Sequence, residues 1–375
     1  MNLAFFDPIN WNYDVGTPYE RPLGGSQSAM CYLAVALAAR GHAVTFYTAT
    51  TRPRVYQDVN CRSCENISRD DLAKHDAMIS LNGPADLCLN VRPFLPARCR
   101  LILWTQHAHD QPAMFPLQRP EVRAGWDAIA CVSQWHAGSM QRQYNLDPRR
   151  VAVLRNAIGP AFANLFPDAA ALARAKSSAM ALAYTSTPFR GLNLLLSFFP
   201  EIYRNDPRVQ LRIYSSMKVY FTDESKDAYA NLYAHSRSMP GVEYVGSLPQ
   251  PALAQSLKSA TILSYPNTFP ETSCIAVMEA MAAGLLIVTS DLGALPETTM
   301  GMGVLTPGPR DQQEITGFMQ AYAEKLFGAI GHIGRDPENF WAARWEQVKA
   351  TTTQYTWRIR AAEWEKFLMG PEISP

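Results

Sequence analysis

Charge of one sign is what this chain most lacks: 34 Lys and Arg stand against 33 Asp and Glu, a formal net charge of +1. Without a net field there is no bulk electrostatic case for nucleic-acid binding. Long apolar runs are also missing. The best stretch, residues 275–289, is interrupted by Glu279 and Gly284, and falls short of the roughly 20 residues a membrane span needs. The opening, Met1-Asn2-Leu3-Ala4-Phe5-Phe6-Asp7-Pro8, has no cationic leader, so no signal peptide is expected. The cysteines number seven, an odd count that in a leaderless chain points to reduced thiols. Cys61-x-x-Cys64 has no second pair, and His75, Cys88 and Cys99 are remote partners for it, so no metal site is expected. The dinucleotide fingerprint G-x-G-x-x-G is absent, which disfavours a nicotinamide or flavin site.

What is present is ample material for a core. The 375 residues, 47% apolar and 18% charged, suit a soluble globular protein of two ordinary domains. Residues 2–6 read as a buried strand. A loop follows to Leu23, then Gly24-Gly25-Ser26-Gln27, an amphipathic helix to Arg40, and a strand at residues 43–47. Strand, glycine turn, helix, strand is the opening of a doubly wound parallel α/β domain. Gly24 and Gly25 either let backbone approach a ligand at a helix start or serve only as a tight turn. Further apolar runs at 77–81, 101–104, 128–133 and 151–154 continue the sheet. His107, just past the second of these strand ends, is placed either to meet a sugar hydroxyl or simply to face water. Residues 159–178 read as the inter-domain connection.

A second α/β series begins at residues 181–186. It continues with a helix over 192–203, strands at 209–214 and 242–246, and a helix over 251–259. Arg190, in a loop between strand and helix, is a phosphate ligand or a solvated side chain. The next βαβ unit carries the densest chemistry. A strand at 260–265 leads to Glu271-Thr272-Ser273-Cys274-Ile275, a helix holding Glu279 and stopping at Gly284, and a strand at 285–289. Thr272 and Ser273 are placed as N-cap residues, and a helix start fed by a strand is a ready anion site. From spacing alone the unit is either a donor site or a plain crossover. The C-terminal residues form an amphipathic helical stretch whose aromatics (Trp341, Trp345, Trp357, Trp364, Phe367) suit packing better than sugar binding.

Taken together these motifs resemble the GT-B glycosyltransferases, specifically the retaining group called family four, or group 1. The match of Glu271 to Glu279 with the E-x7-E region followed by "EAMA-x-G" is the most specific part. Gly24-Gly25, Arg155-Asn156 and the loop Asp291 to Glu297 fall in the family's order. The resemblance implies two Rossmann-like doubly wound domains facing a cleft: 1–165 for the acceptor, 166–350 for the donor, and a helix at 351–375 returning to the N-domain. It implies a nucleoside-diphosphate sugar, UDP- or GDP-linked, as donor, with no cofactor. The acceptor it implies is a saccharide or lipid-linked hydroxyl, with peripheral membrane contact and a cytoplasmic setting. Glu271 would hold sugar hydroxyls and Glu279 the ribose. Backbone at Thr272, Ser273, Cys274 and Ile275 would meet the diphosphate with Arg190, Gly25 would lie near the donor phosphate or the acceptor, and His107 would touch the transferred sugar. No D-x-D segment marks a Mg²⁺-bridged diphosphate. Thr185 stands where the family usually has an arginine, and Thr272-Ser273-Cys274 replaces its glycine-containing turn. Other readings of the same architecture are a nucleotide-sugar epimerase and a non-catalytic glycan- or nucleotide-binding protein.

Overall fold

The computed structural model describes residues 1–176 and 180–370; the last part of the expected terminal helix, 371–375, lies outside them. The chain divides into two compact units. Unit 1 comprises Met1–Glu20, Gly24–Ala157 and the chain from Trp357 on; unit 2 comprises Arg21–Leu23 and Ile158–Thr356. Among the described residues no helix is long and apolar enough to cross a membrane. Helices of eight residues or more are α1 (Gly25–Ala38), α2 (Gln134–Tyr144), α3 (Ala169–Lys176), α4 (Leu192–Asn205), α5 (Ala230–Ser238), α6 (Gln250–Leu257), α7 (Ile275–Ala282), α8 (Ile315–Arg335), α9 (Pro337–Gln354) and α10 (Trp357–Leu368).

Unit 1 is built on an eight-stranded sheet. Its strands are β1 (Asn2–Phe6), β2 (Ala43–Thr48), β3 (Arg54–Tyr56), β4 (Val59–Ser63), β5 (Ala77–Leu81), β6 (Arg100–Trp104), β7 (Ala128–Cys131) and β8 (Val151–Val153), in the order β3-β4-β2-β1-β5-β6-β7-β8. All pairings are parallel except β3 with β4. The central strands β5 and β7 are buried along their whole length, as continuous apolar runs covered on both faces must be. The β3–β4 hairpin is not foreseen by the sequence, because its turn uses Gln57 and Asp58 at φ 47° and 61° instead of glycine. It carries Cys61 into the core of β4 and leaves Cys64 opening a 3₁₀ turn. Among the described residues no three His, Cys, Asp or Glu gather as a metal set.

The helix α10 belongs to unit 1 and packs on α1. Trp364 meets Trp104 edge-to-face at 5.2 Å, Trp357 lies 6.1 Å from Tyr32, and Glu365 pairs with Arg40 and His42. Arg100 closes the helix by donating to the carbonyls of Phe367 (2.7 Å) and Leu368 (2.9 Å), a cation at the negative end of the helix. The aromatic residues here are packing residues.

Unit 2 holds a six-stranded, all-parallel sheet of β9 (Ala181–Tyr184), β10 (Gln210–Ile213), β11 (Val242–Tyr244), β12 (Ile262–Tyr265), β13 (Leu286–Ser290) and β14 (Val304–Thr306), in the order β11-β10-β9-β12-β13-β14. The connection expected over 159–178 instead contains α3, whose Leu172 is buried against Gly284. Strand order reverses between β1 and β5 in unit 1 and between β9 and β12 in unit 2. In open α/β sheets the loops leaving the strands at such reversals form the ligand-binding crevice.

Candidate active site

The reversal in unit 2 sets the loop after β9 beside the loop after β12. Their approach is close enough to demand a glycine. Gly191 has φ 102°, and a Cβ on it would lie 2.1 Å from the carbonyl oxygen of Pro266. Arg190, the residue before it, therefore reaches Glu271, the residue the other loop carries, and forms an ion pair with its Oε1. Tyr265, the last residue of β12, donates its hydroxyl to the same oxygen at 2.6 Å, and Ser186 Oγ lies 3.3 Å from that hydroxyl. Glu271 is 4% exposed, whereas the Arg190 side chain keeps 21%. Both side-chain hydrogen bonds to Glu271 thus fall on Oε1, and among the described residues none reaches Oε2. Burial works against charge on Arg190, but the adjacent Glu271 carboxylate outweighs it and raises the guanidinium above its ordinary range. The guanidinium also stacks over Phe269, 4.6 Å from its centroid. Removing either member of so buried a pair leaves the other uncompensated, at a cost of about 3–5 kcal/mol.

The backbone of Glu271 is fixed as firmly as its side chain. Ala294 N–H donates to its carbonyl at 2.7 Å, and an isolated parallel bridge joins Glu271 to Gly293. Gly293 has φ 65°, and a Cβ there would sit 2.3 Å from the Glu271 oxygen. The stretch expected as a loop from Asp291 to Glu297 thus holds the Glu271 backbone, and it turns into a short helix at Leu295–Thr298.

The helix α7 starts at Ile275 with Cys274 as its N-cap, and no side chain caps it. This corrects the expected Thr272–Ser273 cap. Those two residues lie between the bridge at Glu271 and the N-cap Cys274, ahead of the first turn. Thr272 is buried, and Ser273 Oγ is buried without a partner. Thr185, at the place of the family's arginine, lies just beyond β9 with its hydroxyl oxygen also buried and unpartnered. The Cys274 thiol is pushed far up by burial and stays neutral.

Glu279 lies inside unit 2, 4% exposed, and is not joined to the Arg190–Glu271 cluster by a direct contact. Its Oε1 accepts from Gly159 N–H at 3.1 Å. Burial lifts its carboxyl to about 8. The far end of α7 is held by two residues that sequence reasoning missed. Lys176, buried at the end of α3, donates to the carbonyls of Ala283 (2.6 Å), Leu257 (3.1 Å) and Ala260. Gln347 on α9 donates to Met281 (3.0 Å) and Leu285 (2.8 Å). The carbonyls of Leu257, Met281 and Ala283 are orphan acceptors at helix C-termini, and nothing local in the sequence says which side chains will reach them.

The remaining candidates, Gly24, Gly25 and His107, lie in unit 1. Gly24 is the N-cap of α1 at φ −58°, an angle any residue adopts, and α1 begins at Gly25. The first turn of α1 is tied to the end of β1. Gln27 Nε2 donates to Asp7 at 3.1 Å, and Tyr13 Oη donates to the same oxygen at 2.7 Å. Burial raises the Asp7 carboxyl, and this network is not foreseen from the sequence. His107 follows β6. Burial lowers its pKa, so it is neutral at pH 7, and its Nδ1 is buried without a hydrogen-bond partner.

Residues 180–324, which contain Arg190, Glu271 and Glu279, match the family model described as "Glycosyl transferases group 1". This stretch is thus similar to the group 1 glycosyl transferases. The phosphatidyl-myo-inositol mannosyltransferase of Mycobacterium tuberculosis (strain ATCC 25618 / H37Rv) is 33% identical over 107 residues, which is 28% of this chain and 26% of that protein. The chain thus matches about a quarter of that relative's length. A glycosyltransferase from Rickettsia africae ESF-5 superposes with a TM-score of 0.71 at 12% identity, covering 98% of this chain and 97% of that one. Anabaena Alr3699/HepE in complex with UDP superposes with a TM-score of 0.66 at 13% identity, covering 98% and 99%. The two structures show the fold, GT-B, with its two parallel-sheet units.

Proposed function

We propose that this protein transfers a sugar from a nucleoside-diphosphate sugar to a hydroxyl acceptor with retention of anomeric configuration and without a metal. The observation that carries the proposal is the clamped Glu271. Arg190 and Tyr265 fix Oε1, which leaves Oε2 aimed for hydroxyls of a bound sugar. Arg190 and the uncapped N-terminus of α7 supply the positive potential that a departing diphosphate needs. Glu279 accepts from the ribose, and His107 meets the transferred sugar. In the reaction the bond from C1 to the phosphate oxygen breaks, and a bond from C1 to the acceptor oxygen forms on the same face. The acceptor proton passes to the leaving phosphate oxygen, and the nucleoside diphosphate, UDP or GDP, departs. The absence of a D-x-D segment supports the metal-free reading. The name of the mycobacterial relative, a phosphatidyl-myo-inositol mannosyltransferase, supports a lipid-linked or saccharide acceptor. We place the enzyme in the cytoplasm, in peripheral contact with the membrane that carries such an acceptor.

Incubation with UDP- and GDP-sugars and a panel of saccharide and lipid acceptors, followed by NMR of the product, tests this directly. An α-linked product from an α-linked donor is the expected result. Inversion at C1, or epimerised nucleotide sugar with no transfer product, overturns it.

A further inference from the structure

His107 sits on a loop whose carbonyl is held by another histidine, and that second residue has no role in the reaction outlined above. His136, the third residue of the segment opened by the N-cap Ser133 of α2, is 0% exposed. Its Nε2 lies 2.8 Å from the carbonyl oxygen of His107, and its Nδ1 lies 3.3 Å from the backbone nitrogen of Val132. A carbonyl only accepts and an amide N–H only donates, so the tautomer is fixed: Nε2 carries the proton and Nδ1 carries the lone pair. Burial holds the imidazole neutral, at about 4, which keeps that tautomer over the working pH range.

The rest of the loop is pinned from other elements. Gln106 N–H donates to Asn82 at 2.7 Å, Asn156 Nδ2 donates to Gln106 Oε1 at 2.9 Å, and His107 N–H donates to Thr105 Oγ1 at 3.1 Å. Tyr144, at the other end of α2, donates to the carbonyl of His109. These contacts fix the flanks, and His136 fixes the peptide that carries the His107 side chain. We propose that His136 is a positioning residue that sets the placement of His107 through the bond from its Nε2 to the His107 carbonyl. The inference rests on the proposed role of His107 as the group that meets the transferred sugar.

The two nitrogens of His136 can be tested one at a time. In His136→Gln the side-chain amide nitrogen falls near the place of Nε2 and keeps the donor to His107. In His136→Asn the amide oxygen falls near the place of Nδ1, which keeps the Val132 contact and loses the reach to His107. Steady-state transfer is measured for the wild type, both variants and His107→Ala, with thermal melting and calorimetric titration of UDP and GDP as checks on folding. His136→Gln should stay within about threefold of the wild-type kcat, while His136→Asn should lose about 10- to 100-fold with donor KM within about twofold. Equal losses in the two variants, or full kcat in His136→Asn while His107→Ala is impaired, overturn the positioning role alone. Full kcat in His107→Ala overturns the assignment of His107 to the sugar, and the positioning role with it.

Discussion

Tyr265 and Arg190 donate to one oxygen of Glu271, so the two can be separated by what each leaves behind. Tyr265→Phe removes a 2.6 Å hydrogen bond without disturbing the ion pair. A charge-assisted bond of this kind contributes about 1.5–3 kcal/mol. Transfer should therefore fall about tenfold or more, with UDP or GDP affinity unchanged in a titration, because Glu271 and not the diphosphate site loses its orientation. Glu279 allows a prediction about pH. Its carboxyl titrates at about 8 in the folded protein against 4.5 in an unperturbed chain. Between those values the folded state holds a proton that the unfolded state has released, so stability falls as pH rises through this window and levels off above it. Glu279→Gln cannot ionise and should lose that slope. The melting temperature of the variant relative to the wild type should rise by roughly 5 °C or more from pH 5 to pH 9 in a thermal-shift series. Arg190 and Glu271 stood out as candidates in the sequence because a charged residue in a loop after a strand contrasts with apolar runs, and Glu279 because it is the one acid in an apolar helix. Tyr265 was not, because a tyrosine ending a buried strand reads as core until its hydroxyl is seen to find a partner.

The loops after β9 and β12 come together at the scale of elements, and glycine at position 191 makes this possible. Gly191→Ala places a methyl 2.1 Å from the Pro266 carbonyl at φ 102°, so the loops must part. Stability should drop by about 1–3 kcal/mol from backbone strain alone. Both UDP or GDP binding and transfer should weaken, as measured by chemical denaturation and calorimetry. The helix α7 depends equally on what closes its far end. Gln347→Leu leaves the carbonyls of Met281 and Leu285 without their donor in a site that is 0% exposed. Each buried acceptor left unmade costs about 1–3 kcal/mol, so a denaturation midpoint well below that of the wild type is expected. The existence of these helices was readable from apolar spacing and from Gly284. Their caps were not. Thr272 and Ser273 looked suited to the N-cap by residue type, yet they lie between the bridge at Glu271 and the N-cap Cys274.

Over the whole molecule, α10 returns to unit 1 and completes it. Deleting the chain from Trp357 exposes the face of α1 and the side of Trp104 that Trp364 covers. Unit 1 should lose stability while unit 2 does not, so denaturant unfolding followed by circular dichroism should show one transition moved to lower denaturant and one unchanged. The sequence by itself determined the two α/β series, the parallel sheets and the order of the motifs. Those features are written in local patterns: buried strands as continuous apolar runs, helices as spaced apolar positions, and turns as Gly, Pro and Asn. The tertiary structure alone decided which groups meet. Lys176 reaches Ala283 across 107 residues, Gly159 reaches Glu279 across 120, and His136 reaches the carbonyl of His107 across 29. A bond from a side chain to a distant backbone atom imposes no residue type on its partner, so it leaves no trace in the sequence until the fold brings the two together.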